Sequence, residues 1–194
     1  MLPLSSAARR WLLEMARAAV EAAGWGEPFQ APQAPPDLPP TDASELERPR
    51  AAFVSLHKQG RLRGCVGHIG FDTPLRQLVP EMAQAAARDD ARFDPVSPEE
   101  VRELEIEISV LSDFFPIEPD QVIPGVHGLL ARRGIHRGIL LPQVALEHNW
   151  DAARFLSETC RKAGLPFDAW KRGATIEAFT ADIIGAEKHT PARS

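Results

Sequence analysis

Three glycines within seven residues, Gly64, Gly67 and Gly70, fall in the stretch Arg61-Leu62-Arg63-Gly64-Cys65-Val66-Gly67-His68-Ile69-Gly70 and limit what it can become. The apolar run Ala51-Ala52-Phe53-Val54-Ser55-Leu56-His57-Lys58 precedes it, with Gln59-Gly60 between. A two-residue break containing glycine between such runs predicts a tight β-hairpin. Glycine repeated inside a strand weakens it, so these positions mark a bulge or the close approach of another group. Strand side chains alternate between faces, which puts Arg63 and Cys65 on one face and Leu62, Val66 and His68 on the other. With Gln59-Gly60 as the turn, Leu56 lies opposite Arg63, Val54 opposite Cys65 and His57 opposite Leu62. His57 and His68 then point away from the thiol unless a bulge at Gly67 turns His68. Cys65 is left with two readings, a small buried hydrophobe or a thiolate favoured by a cation on its own face.

Bulk properties narrow the classes. A chain of 194 residues makes one domain, with room for two lobes. A net charge of −5 argues against general nucleic-acid binding. Two cysteines allow at most one disulfide and form no zinc pattern, which fits a reducing compartment. No leader pattern opens the chain and no apolar run approaches ~20 residues, so a soluble cytoplasmic protein without a membrane partner is expected. A Walker A loop, a dinucleotide-binding fingerprint and a three-cysteine radical SAM motif are absent, and neither cofactor nor metal is expected.

Along the chain, Leu12, Met15, Ala16, Ala19 and Ala22-Ala23 keep a helical period, with Ser5 or Ser6 as cap and Gly24 as terminator. Prolines at 28, 32, 35, 36, 39 and 40 make residues 27–41 an extended surface connector. Thr73-Pro74 opens a second helix through Ala87, which Pro80 should kink or split. Residues 88–95 read as a charged loop, either a solvated turn or a rim beside Cys65 where Arg92 binds an anion. Ser97-Pro98-Glu99-Glu100 has the form of a short helix start. Leu104–Leu111 alternates as a strand, with Glu105, Glu107 and Ser109 on its wetter side. A second hairpin runs from Val126–Leu130 through Arg132-Arg133-Gly134 to Ile135–Leu141. Its tip carries Arg132, Arg133, His136 and Arg137, an exposed turn or a point of RNA contact. Asp151 caps a third helix that Trp150 staples onto Phe155, that Cys160 faces inward from, and that Gly164 ends. Residues 174–184 read as one last strand and 186–194 as a frayed tail.

Several short motifs then occur together and in order. They are Leu62-Arg63-Gly64-Cys65-Val66-Gly67, Asp90-x-Arg92-Phe93-x-Pro95, Ser109-Val110-Leu111, Gly125-Val126-His127-Gly128, Leu141-Pro142-Gln143-Val144-Ala145, Trp150-Asp151 and Arg161-Lys162-Ala163-Gly164. This succession resembles the AMMECR domain family, also called protein A of the AmmeMemoRadiSam system, over nearly the whole chain. The resemblance implies an α+β fold with mixed or antiparallel sheets and flanking helices. It implies a single domain over 1–194, with a larger and a smaller lobe and the Arg-Gly-Cys stretch lining a cleft between them. It further implies a Memo-type protein and a radical SAM enzyme as partners, without assigning a reaction.

The resemblance promotes Arg63, Arg92 and His127 as cleft residues, and adds Gly64, Gly67, Ser109 and Gln143 as ligand-binding candidates. Gln143 stands where some relatives carry Glu. Two functions remain open. One is an accessory protein that holds a small anionic metabolite or a partner's peptide through Arg63, Arg92 and the glycine backbone. The other is a Cys65-dependent enzyme or group carrier, with Arg63 activating the thiol and His127 as base.

Overall fold

The structure, a computed structural model, describes residues 4–185, so the tail expected over 186–194 lies outside it. The chain divides into two compact units, one running to Val110 and rejoined by the chain from Ile183, the other Leu111–Asp182. Among the described residues, five helices and two antiparallel four-stranded sheets make an α+β fold, as expected.

The first unit opens with α1 (Ser6–Trp25), whose Ser5 cap accepts from the Ala8 N–H. Leu12, Met15, Ala16, Ala19 and Ala23 form its buried stripe. The helix ends at Gly26, in the left-handed region at φ 69°, and not at Gly24. Gly24 has a packing role instead, because a Cβ there would come within 2.6 Å of Val101 Cγ2. Residues 27–39 carry no regular structure and are held to α1 where Trp11 Nε1 donates to the Pro32 carbonyl. Pro40 and Thr41, placed by the sequence in the connector, instead begin α2 (Pro40–Leu46). A proline near the start and Asp42 in the first turn suit a helix N-terminus.

Strands β1 (Ala52–Lys58), β2 (Arg61–His68), β3 (Leu104–Leu111) and β8 (Ala181–Gly185) form the first sheet in the order β2-β1-β3-β8. Val54 and Leu56 of β1 lie opposite Ile108 and Ile106 of β3, and these side chains share a core with α1 and α3 (Leu75–Arg88). Each such fully buried aliphatic side chain contributes about 2 kcal/mol of hydrophobic stabilisation. Helix α3 runs unbroken through Pro80, contrary to the expected split. The proline removes one backbone donor, while Leu78, Val79 and Ala83 around it stay buried in the core. Pro98–Glu100 form a turn leading into a single 3-10 turn, Val101–Glu103.

In the second unit, β4 (Phe115–Pro116), β5 (Gly128–Arg133), β6 (His136–Leu140) and β7 (Thr175–Phe179) form a sheet in the order β4-β7-β5-β6. Helices α4 (Pro142–Glu147) and α5 (Ala152–Lys162) accompany it, and Leu129, Phe155, Leu156 and Ala178 make its core. Asp151 caps α5 by accepting from the Arg154 N–H at 2.7 Å, and Cys160 is fully buried. The single strand expected over 174–184 is two, β7 and β8, belonging to different sheets. Thr180 separates them, its carbonyl accepting from the Ser112 N–H and its N–H donating to Ser112 Oγ, both at 2.9 Å.

Candidate functional site

The β1–β2 hairpin turns at Gln59 and Gly60, both at positive φ, the backbone form that two-residue hairpin turns favour. Its ladder then slips by one residue. His57 pairs with Leu62, but Leu56 pairs with Gly64, leaving Arg63 as the extra residue of a β-bulge. The expected register is therefore corrected beyond the turn, and Cys65 lies opposite Ser55, not Val54. The bulge sits at Arg63 and not at Gly67. Its cause is close packing at Gly64, where a Cβ would come within 2.2 Å of the Ala86 carbonyl oxygen at the end of α3. At Gly67 the missing side chain is replaced by the Phe53 ring, 2.2 Å from an ideal Cβ. At both glycines the vacated space is filled by the chain itself.

The backbone of Cys65 turns outward from the hairpin and meets side chains in place of another strand. Its N–H donates to Asp90 Oδ2 at 2.8 Å, and Arg92 Nη2 donates to its carbonyl at 3.4 Å. Asp90 and Arg92 are themselves joined in a fork, Nε to Oδ1 at 2.8 Å and Nη2 to Oδ2 at 2.6 Å. Stretches 61–70 and 88–95 thus meet through one carboxylate–guanidinium pair. The Arg92 hydrogen bonds, assisted by the Cys65 N–H, hold the Asp90 carboxyl far below the usual carboxylate range, and its side chain is only 6% exposed.

The thiol has a different setting. Ser55 Oγ donates to Cys65 Sγ at 3.3 Å, and burial pushes the thiol up despite that bond and the nearby Arg92 charge. Arg63 does not serve the thiol. Its Nε and Nη2 donate to Glu100 at 3.2 and 2.9 Å, and Nη1 donates to the Asp94 carbonyl at 2.9 Å. Glu100 is held down at about 2, first by Arg63, then by the Ser97 N–H and Lys58. The Phe93 ring lies between the two arginines, with guanidinium carbons 6.0 Å (Arg63) and 5.4 Å (Arg92) from its centroid. Arg63, Ala91, Arg92, Phe93 and Asp94 line an open pocket of about 400 Å³.

The remaining candidates belong to other elements. Ser109 is buried in β3 opposite Phe53, and Gln143 is half-buried in the first turn of α4. His127 belongs to the second unit, where its Nδ1 accepts from the Ile123 N–H at 3.1 Å and its ring stands edge-on to Phe115. With Nδ1 an acceptor, the neutral ring carries its proton on Nε2 and presents a donor there, which is the wrong tautomer for a base acting through Nε2. Cys160 is buried and its thiol is also raised by burial. Asp90, Ser55 and Glu100 are residues that sequence reasoning did not offer as site candidates. The Asp90-x-Arg92 spacing is the one local signal among them, since an Asp side chain readily bonds the backbone two residues on, as here at 3.2 Å. Among the described residues no cluster of three His, Cys, Asp or Glu side chains could hold a metal, and no helix is long and apolar enough to cross a membrane.

Comparison with known proteins gives a consistent result. The AMMECR1 family model matches residues 13–184. A protein of Methanothermobacter thermautotrophicus is 42% identical over 190 residues, covering 94% of this chain and 96% of its own length. One from Pyrococcus furiosus is 40% identical over 193 residues, covering 91% and 87%. The crystal structure of an uncharacterised protein from Pyrococcus horikoshii superposes with a TM-score of 0.81 at 36% identity, covering 93% of this chain and 92% of that one.

Proposed function

The chain belongs to the AMMECR1 family, and from that premise we propose that it is a cytoplasmic accessory protein that binds rather than catalyses. Its working surface is the Arg92–Phe93 rim beside the Cys65 strand. The state of Cys65 carries this conclusion. A nucleophile needs a lowered thiol pKa or an adjacent base, whereas this thiol is raised and takes its hydrogen bond from a serine hydroxyl.

Arg63 supports the loop through Glu100 and the Asp94 carbonyl. Arg92 lines the open pocket and engages Asp90 through Nε and Nη2, so Nη1 is not used by that pair. A carboxylate or phosphate of the bound molecule meets Arg92 Nη1 while its apolar part packs on Phe93. The Memo-type protein and the radical SAM enzyme implied by the family resemblance are its working partners.

The test is the pH dependence of Cys65 alkylation in a Cys160→Ala background. Slow labelling with an apparent pKa above about 8.5 is expected. Rapid labelling below that value would return Cys65 to the role of nucleophile or carrier.

A further inference from the structure

We infer that the tip of the β5–β6 hairpin is a contact point for an anionic lipid bilayer. Ile135 at the apex is 94% exposed, more than any other large apolar side chain described. A Cβ on its neighbour Gly134, at φ 60°, would have no heavy atom within 4 Å, so the apex stands clear of the fold. Basic side chains follow on both strands, Arg133 opposite His136 and Arg132 opposite Arg137, all exposed. Arg132 pairs with Glu177 at 3.0 Å, whereas Arg133, His136 and Arg137 make no ion pair among the described residues. Like charges directly opposite in a sheet are unfavourable, so the ladder itself gives no reason for the Arg132–Arg137 pair.

The shape selects the partner. The basic side chains stand exposed on either side of an open apex, which does not suit a small anion. Residues 132–137 contain no Phe, Tyr or Trp, so the His136 imidazole is the one ring there on which a nucleic-acid base could stack. RNA would also leave Ile135 without a use. A protein socket would need an interface of roughly 800 Å² per partner with an apolar centre, and the apex offers one isoleucine. A bilayer takes small contributions of both kinds, an aliphatic side chain below the headgroups and arginines at the phosphates. The net charge of −5 is no obstacle, since charges beyond about 10 Å are screened at physiological salt. This contact requires no spanning helix and is independent of the Cys65 surface, so failure of either proposal leaves the other standing.

Cosedimentation with phosphatidylcholine vesicles containing about a third phosphatidylglycerol, at physiological salt, tests it. The full chain is expected to pellet with these vesicles and not with pure phosphatidylcholine. Ile135→Ser should lower partitioning roughly three- to tenfold, and joint Arg133→Glu and Arg137→Glu should abolish it. Circular dichroism checks that the charge-reversed variant folds; Ile135→Ser, at an open position, keeps the test decisive if it does not. Absence of wild-type binding, or equal partitioning of wild type and Ile135→Ser, would overturn the proposal. So would tighter binding of a single-stranded RNA oligonucleotide than of the vesicles.

Discussion

The two hairpins of this protein start from similar chemistry and use it in opposite ways. In β1–β2, Arg63 lies against Glu100, and Arg92 from the adjoining loop lies against Asp90 while reaching the Cys65 carbonyl. In β5–β6, Arg133 and Arg137 extend outward with no carboxylate within ion-pair distance among the described residues. Both segments read as basic, glycine-containing hairpins. What separates them is the following chain. Glu100 folds back onto the first hairpin and braces Arg63, Asp90 takes the Cys65 N–H and holds Arg92, and among the described residues the second hairpin receives only Glu177. An arginine beside a cysteine is therefore no sign of an activated thiol until its carboxylate partners have been located.

The most severe way to break this contrast is Asp90→Ala. It removes the acceptor of the Cys65 N–H, a largely buried carboxylate, and releases the half-exposed Arg92. A loss of about 3 kcal/mol in urea unfolding is expected. No change would mean that the first hairpin stands without its brace.

A smaller effect is expected from acid through Glu100. Its folded pKa of about 2 lies below the ordinary 4.5, so its contribution is present above pH 4.5 and disappears as the pH falls toward 2. Glu100→Gln should destabilise the protein by about 2 kcal/mol at neutral pH, allowing for partial solvation, and by nothing near pH 2. Unfolding titrations across that range measure the difference. The least effect belongs to the other hairpin. Arg137→Thr relieves the Arg132–Arg137 opposition and should stabilise by a few tenths of a kcal/mol, read from the thermal midpoint.

These contrasts also explain which parts were legible in the sequence. Helices α1 and α5 announced themselves through apolar period and caps at Ser5 and Asp151, because those signals are local. The Gln59-Gly60 turn was legible for the same reason. The bulge at Arg63 was not, since it answers to the Ala86 carbonyl on a helix that comes later in the chain. Glu100, 37 residues from Arg63, is equally invisible to local spacing. Thr180 hid a change of sheet, because one alternating run cannot reveal that Ser112 interrupts it. Likewise, the motif around His127 displays an imidazole and not which nitrogen the Ile123 N–H already occupies. Helix α2 was overlooked because the prolines leading into it look like those of a linker, although Pro40 and Asp42 suit a helix start.

Strand β2 is the outermost strand of its sheet, and at Cys65 its outward N–H and C=O are occupied by Asp90 and Arg92. A passing chain finds no ladder to extend there, so the carboxylate–guanidinium pair guards the sheet against edge-to-edge self-association. The same two side chains that fix the loop therefore also shield that strand edge. Loss of that protection would appear as concentration-dependent aggregation under conditions where the core is still folded.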